Sequence, residues 1–251
     1  MRYAVLSDIH GNLEALSSVL DDAAGNHIER YACLGDVVGY GADPEACLAR
    51  LLALPGTTVA GNHDWAVVGK LPVGWFNDAA RRAVVWTRDR LGFAELDALR
   101  RLPLMATDGP CTLVHATLSH PDRFEYLIDL AQAVDMAKSC RTRFCLTGHT
   151  HLPMLFEYDL GREQLGRMLT SPEELASVQL AGADNRVHYV INPGSIGQPR
   201  DGDPRASYAI LDDAASTFAL RRVSYDIATA QRKIRAAGLP GFLADRLAVG
   251  R

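Results

Sequence analysis

The sequence has few cysteines, and none of them form a C-x-x-C pair. Its 251 residues contain five cysteines, an odd number, and three of these lie beside apolar segments that look like strands. A disulfide framework or a thiolate metal site needs cysteines in closely spaced pairs. We therefore expect buried, reduced thiols, as in a cytoplasmic protein.

Long apolar stretches and long basic runs are also missing. No apolar run approaches the roughly 20 residues of a membrane-spanning helix, and the chain enters an apparent strand at Arg2 without a leader peptide. The net charge is −4, whereas a nucleic-acid surface concentrates positive charge. Membrane contact and nucleic-acid binding are therefore disfavoured. A small phosphate-bearing substrate held by metal ions remains compatible with this composition.

In the first part of the chain, predicted strands alternate with predicted helices. Short buried strands are expected at 2–8, 31–36, 57–62, 111–116 and 143–149. Asn12 is placed to cap a helix that ends at Gly25, and Asp43-Pro44 is placed to begin a second one. This alternation predicts a layered α/β fold with parallel strand pairing.

The predicted secondary structure changes twice in the later part of the chain. Residues 75–102 read as two helices broken near Gly92, and we interpret them as a helical insertion in a single domain that spans residues 1–251. After Pro153 the pattern predicts mostly antiparallel strands. A last helix is expected to begin at Asp226 and to stop at Gly238.

Polar residues follow the predicted strands of the first part, each time at the end of a strand. In chain order these are Asp8 and His10, then Asp36, then Asn62, His63 and Asp64, then His115, and finally His149 and His151. Taken singly, each has an ordinary interpretation as a cap, a turn residue or a core histidine. Because loops at the carboxyl ends of strands converge in α/β sheets, the joint order favours a metal site.

The ordered set of motifs resembles that of the calcineurin-like metallophosphoesterases. The motifs D-x-H, G-D-x-x-G, G-N-H-D, a lone histidine and G-H-x-H fall within residues 1–155, and "NPGSIGQPR" (192–200) is similar to a segment of small prokaryotic phosphoesterases. The resemblance implies an α/β fold with four layers, α/β/β/α, in which a two-sheet β-sandwich is flanked by helices.

The resemblance also implies two divalent metal ions bridged by Asp36. Asp8, His10 and His151 would complete one site, and Asn62, His115 and His149 would complete the other. A donor set of carboxylate, imidazole and amide without thiolate suits several ions. We expect Mn²⁺, with Fe²⁺, Ni²⁺, Co²⁺ or Zn²⁺ as alternatives.

The implied reaction is hydrolysis of a phosphate ester by in-line attack of a metal-bridging hydroxide. His63 is the candidate that protonates the leaving group, and Asp64 is expected to raise its pKa. The alternative for His63 is an orienting role without proton transfer.

Four further residues are predicted to contact the substrate. Gly194 and Ser195 would let the backbone approach the metal site, Arg200 would meet the substrate phosphate, and Asn77 would line the mouth together with nearby aromatic residues.

The expected substrate is a small phosphodiester or nucleotide, and three alternatives stay open. Phosphatases and dinucleoside polyphosphate hydrolases of this superfamily carry G-D-x-[VI]-D-R-G at the second motif. This chain has Gly39 and Tyr40 where that Asp-Arg pair would fall, which counts against both classes. The third alternative, a non-catalytic metal-binding scaffold, is disfavoured because every candidate ligand is intact.

Overall fold

Two six-stranded sheets form the centre of the computed structural model, which describes residues 1–182 and 186–251. The first sheet contains, in spatial order, β3 (Gly56–Thr58), β2 (Arg30–Cys33), β1 (Arg2–Leu6), β11 (Ala206–Asp212), β12 (Thr217–Val223) and β9 (Val178–Gln179). The second contains β4 (Met105–Asp108), β5 (Cys111–Val114), β6 (Phe144–Leu146), β10 (Val187–Pro193), β7 (Pro153–Asp159) and β8 (Gln164–Leu169).

Both sheets are mixed, and each has three neighbouring strands that run parallel. In the first sheet β1, β2 and β3 are parallel, and in the second β5, β6 and β10 are parallel. The remaining pairs are antiparallel. Parallel strands end at the same edge of a sheet, so the loops that follow them are brought together.

Helices cover the outer faces of the sheets. They are α1 (Leu13–Ala24), α2 (Pro44–Leu52), α3 (Asn62–Val67), α4 (Asp78–Arg90), α5 (Phe93–Arg101), α6 (Leu130–Ser139), α7 (Pro172–Leu175), α8 (Ile227–Ala236) and α9 (Gly241–Asp245). Short 3₁₀ turns occur at Val73–Trp75, Pro121–Arg123 and Arg246–Ala248.

The alternation of side chains along β1 shows how the layers are built. Tyr3 and Val5 belong to the apolar core between the two sheets. Ala4 and Leu6 point the other way and belong to the core that α1 and α2 cover. Successive residues of a strand face opposite sides, so a strand buried on both faces is apolar throughout. The predicted α/β/β/α sandwich is confirmed.

Several local predictions agree with the structure. Asn12 caps α1 by accepting a hydrogen bond from the backbone of Ala15 at 3.1 Å. Helices α4 and α5 fall inside residues 75–102 and are separated at Gly92, as predicted. Asp226 caps α8. All five cysteines are buried and free, as expected.

Other local predictions were incomplete. The strand expected at 57–62 is only Gly56–Thr58, because the chain leaves the sheet at Val59 and Gly61 already precedes α3. Helix α6 was not predicted, although Asp129 and Gln132 form a capping box at its start. Across residues 1–182 and 186–251, no helix has both the length and the apolar character needed to cross a bilayer.

Candidate metal centre

The predicted ligands all lie where parallel strands end. Asp8 and His10 follow β1, and Asp36 follows β2. His115 follows β5, while His149 and His151 follow β6, and Asn62 is the first residue of α3. The structure brings these side chains together. Six of them are buried and form overlapping groups of candidate ligands, and the partly buried Asn62 contacts His115.

The backbone that carries these side chains is unusual. Ten non-glycine residues of the described chain have a positive φ, and five of them are predicted ligands, namely Asp8, His10, Asp36, His149 and His151. This left-handed conformation costs a non-glycine residue about 1 kcal/mol or more and persists only where the surroundings impose it. Its concentration here indicates that the loops are held in place to aim side chains at one point.

The first group of ligands surrounds an unsatisfied carboxylate oxygen. Asp8 Oδ2 accepts hydrogen bonds from Ser7 Oγ at 2.6 Å and from the backbone of His149 at 3.1 Å. Its Oδ1 is buried without a hydrogen bond and lies 3.2 Å from His151 Nε2. His10 Nε2 is 3.2 Å from the same nitrogen of His151.

The second group lies on the other side of Asp36. His115 Nε2 is 3.2 Å from Asn62 Oδ1 and 3.2 Å from His149 Nδ1. Asp36 Oδ2 joins the two groups, because it lies 3.6 Å from His10 Nε2 and 3.4 Å from His115 Nε2. Asp36 Oδ1 accepts a hydrogen bond from the backbone of His63 at 2.8 Å, which fixes the orientation of the carboxylate.

Three histidines have their tautomer set by backbone carbonyls. The Nδ1 atoms of His10, His115 and His151 face the carbonyl oxygens of Val38, Leu34 and Gln198. A carbonyl only accepts hydrogen bonds, so each Nδ1 carries a proton, and Nε2 points inward with a lone pair whenever the ring is neutral. Lone pairs and a bare carboxylate oxygen that converge at about 3.2 Å repel one another unless a cation lies between them. The residues therefore fit a divalent metal site.

The electrostatics of the cluster also favour positive charge. Burial alone would lower the pKa of His115, but the neighbouring Asp36 and Asp8 raise it to about 9. Burial lowers the pKa of His149 to about 3, with His115 adding to the effect. One proton is thus held in a buried group of imidazoles, at a place where a metal ion would provide the same charge.

His63 lies at the edge of this cluster, because one of its ring nitrogens is within 4.8 Å of ligand atoms of His10 and Asp36. Its ring lies 4.4 Å from that of Tyr40 and 5.0 Å from that of Phe76, and its Nδ1 is buried without a hydrogen bond. Burial lowers the pKa of His63 to about 4, and Asp36 only partly opposes this effect.

The expected effect of Asp64 on His63 is not found. Both oxygens of Asp64 accept hydrogen bonds from backbone amides, those of Val37 at 3.0 Å, Val38 at 3.2 Å and Gly61 at 2.9 Å. Burial and the nearby Asp36 raise the pKa of Asp64 to about 7. Asp64 therefore organises the loops around Asp36, because its side chain is already directed to their amides.

Gly39 provides the space in which His63 lies. Its φ is +91°, and a Cβ atom at this position would collide with Nδ1 of His63. We expect Gly39→Ala to displace the imidazole and to lower the ester hydrolysis that the sequence motifs predict at least about 10-fold, because small displacements of active-site groups have effects of this size. Gly69→Ala is the matched control, because Gly69 has a φ of +80° with nothing within 4 Å. Comparable activity losses in both variants would show that backbone strain alone is responsible.

The four predicted substrate contacts divide into two pairs. Arg200 and Asn77 line a cavity of about 240 Å³ that adjoins the cluster. Gly194 and Ser195 do not line it. Ser195 is fully buried and donates a hydrogen bond to the backbone oxygen of Asp8 at 2.8 Å, so it supports a ligand loop from behind.

Eight residues that line the cavity were not among the predicted site residues, and three of them are Tyr40, Tyr126 and Arg123. Tyr40 packs between His10 and His63, with ring distances of 4.6 and 4.4 Å. Tyr126 stacks on His149 at 4.1 Å, and Arg123 lies at the mouth. The only sequence signal was the presence of Tyr40 at the position of the arginine in the G-D-x-[VI]-D-R-G motif. The other two follow no motif.

The fold and this cluster define a protein of the metallophosphoesterase type, with adjoining groups of candidate metal ligands at the strand ends. Residues 1–215 match the calcineurin-like phosphoesterase superfamily domain, and the chain belongs to that family.

Individual relatives agree with this result over the whole chain. A metallophosphoesterase structure from Sphaerobacter thermophilus is 39% identical, with a TM-score of 0.86 and coverage of 100% of this chain and 99% of that one. An uncharacterized protein from Methanocaldococcus jannaschii is 36% identical, covering 99% of this chain and 98% of its own length. A hypothetical protein from Pyrococcus horikoshii, 20% identical with a TM-score of 0.79, covers 100% of this chain and 98% of its own and shares the fold.

Proposed function

We propose that this protein hydrolyses a small phosphodiester and depends on two divalent metal ions. The observation that carries the proposal is the position of Asp36. Its Oδ2 lies 3.6 Å from His10 Nε2 and 3.4 Å from His115 Nε2, so one carboxylate oxygen faces both sets of ligands. A pair of ions held there would activate a water molecule and neutralise phosphoryl charge.

The shape of the cavity supports a compact substrate. Its volume of about 240 Å³ is below the range of about 300–1,000 Å³ that is usual for pockets holding drug-sized ligands. The walls include Tyr40, Phe76 and Tyr126, which offer apolar surface to ester groups on either side of the phosphate. A diester carries two such groups, whereas a monoester carries one, and the wall composition therefore favours the diester.

We propose that Arg200 binds a non-bridging phosphoryl oxygen of the substrate. It lines the cavity together with His63. One of its terminal nitrogens donates to Gln198 Oε1 at 3.1 Å, and its Nε is buried without a hydrogen bond. A guanidinium group on the cavity wall offers charged, planar donors that are suited to a phosphate oxyanion.

His63 is the residue we place beside the leaving oxygen. Burial lowers the pKa of His63 to about 4, so the imidazole is neutral at neutral pH in the ligand-free protein. A bound phosphodiester brings negative charge next to the ring and thereby favours its cationic form. His63 would then donate a proton to the departing alkoxide.

The metal and the compartment belong to the same proposal. The donor set of carboxylates, imidazoles and one amide suits Mn²⁺, with Fe²⁺, Ni²⁺, Co²⁺ and Zn²⁺ as competitors. Five free thiols, including the buried Cys140 and Cys145, fit a reducing compartment, and we propose the cytoplasm. The partner is a small phosphate ester or nucleotide rather than a nucleic acid or a membrane.

The test compares bis-p-nitrophenyl phosphate with p-nitrophenyl phosphate on protein stripped of metal and reloaded with Mn²⁺. We expect metal-dependent turnover that is faster on the diester. A preference for the monoester would indicate a phosphomonoesterase. Cleavage of dinucleoside polyphosphates alone would indicate the hydrolase class that Tyr40 argues against. Metal binding without hydrolysis of any of these esters would support a scaffold.

A further inference from the structure

The mouth of the cavity carries an exposed aromatic side chain on a constrained segment. Trp75 is 68% exposed and lines the cavity. It ends the 3₁₀ turn Val73–Trp75, and Asn77 follows as the cap of α4, accepting a hydrogen bond from the backbone of Ala80 at 3.0 Å. The backbone that carries the indole is therefore fixed by regular structure on both sides of Trp75.

Trp75 belongs to the same part of the cavity wall as His63, beside which we place the leaving group. Its neighbour Phe76 packs edge-on against His63, with 5.0 Å between the ring centroids. Tyr126 lies against a different part of the centre, because it stacks on the metal-ligand candidate His149. His63, Phe76 and Trp75 all line the same cavity, so a group that departs next to His63 has both aromatic side chains in the surrounding wall.

The surroundings of Trp75 fit a leaving group with a flat polar ring better than one with an alkyl chain. A site for alkyl groups buries its apolar wall, whereas the indole of Trp75 remains mostly in water. Arg123, Arg200 and Asn77 share the same cavity, so the entrance is polar and cationic. Nucleobases stack on exposed aromatic faces while their polar edges stay hydrated, and this stacking tolerates any base.

From these observations we propose that the substrate is a nucleotide diester whose leaving nucleoside stacks its base on Trp75, with little discrimination among bases. The inference rests on the proposed function and specifies its substrate class. The scissile phosphate occupies the small cavity and the base lies at the mouth, so the cavity volume does not have to accommodate the whole nucleotide.

The test measures competitive inhibition of bis-p-nitrophenyl phosphate hydrolysis by three monophosphates that differ only in the organic group. These are adenosine 5′-phosphate, ribose 5-phosphate and hexyl phosphate. We expect adenosine 5′-phosphate to bind at least about 10-fold more tightly than either of the others, as base stacking on one aromatic residue provides. Cytidine 5′-phosphate should bind within a few fold of the adenosine compound.

Variants of Trp75 assign this preference to one side chain. Trp75→Ala should remove most of the preference for adenosine 5′-phosphate over ribose 5-phosphate, and Trp75→Phe should keep it. Phe93→Ala is the matched control, because Phe93 is an aromatic residue with 82% exposure that does not line the cavity. This control should behave as the wild type does.

A binding measurement keeps the inference separate from the proposed activity. Adenosine 5′-phosphate should quench tryptophan emission of the Mn²⁺-loaded wild type and not that of Trp75→Phe. Quenching without any ester hydrolysis would retain the nucleotide site and reject the proposed function. The inference is overturned if the wild type shows no preference for adenosine 5′-phosphate, if hexyl phosphate binds equally well, or if Trp75→Ala weakens all three inhibitors alike.

Discussion

Replacing Asp36 with asparagine is expected to remove both activity and a metal ion. The asparagine side chain would keep an oxygen that accepts the hydrogen bond from the backbone of His63, which is 2.8 Å long in the wild type. It would lose the negative charge that faces His10 and His115 at 3.6 and 3.4 Å. Because a bridging position needs an anionic oxygen with two free lone pairs, we expect hydrolysis of bis-p-nitrophenyl phosphate to fall at least about 10²-fold.

The measurement pairs the rate with the metal content per chain after Mn²⁺ loading and gel filtration. Asp22→Asn is a suitable control, because Asp22 is a partly buried carboxylate that binds Arg221 and Tyr208 outside the cluster. The control should keep the metal content and the activity of the wild type. An Asp36→Asn variant that retains two ions and full activity would refute the bridging position.

Replacing His63 with alanine is expected to have an effect that depends on the leaving group. Proton donation by a positioned side chain contributes about 10²–10⁴-fold, and a poor alkoxide leaving group needs it most. We therefore expect a large loss with an alkyl phosphodiester and a much smaller loss with bis-p-nitrophenyl phosphate, whose leaving group departs without a proton. Rates of His63→Ala on both esters, each divided by the wild-type rate, give the comparison.

His188→Ala controls for the loss of a buried imidazole outside the site. His188 lies on β10, with its Nδ1 2.9 Å from the backbone oxygen of Ala137, and its removal should not change the ratio of the two rates. Equal losses on the two esters in His63→Ala would instead assign His63 an orienting role. The metal content is measured alongside, because a ring nitrogen of His63 also lies within 4.8 Å of ligand atoms of His10 and Asp36. Unchanged metal content is expected for a proton donor, whereas a loss of metal would make His63 a ligand.

Both predictions concern residues that were recognisable in the sequence, and the reason is topological. Parallel strands carry their polar residues to a common edge, so Asp8, Asp36 and His115 could be grouped without coordinates. The order of strands and helices predicted a layered α/β fold, because strands buried on both faces have few polar positions. The two-sheet sandwich was implied by the resemblance to the metallophosphoesterases. The short β3 and the helix α6 were missed, since strand ends and isolated caps give weak local signals.

The sequence by itself determined which side chains meet at the strand ends, because residue type and spacing already specify the donors and the loops that carry them. Only the tertiary structure decided where each atom points. Asp64 turned to the amides of Val37 and Val38 rather than to His63, and Ser195 turned to the backbone of Asp8. Those directions depend on contacts between segments far apart in the chain, which no local pattern encodes.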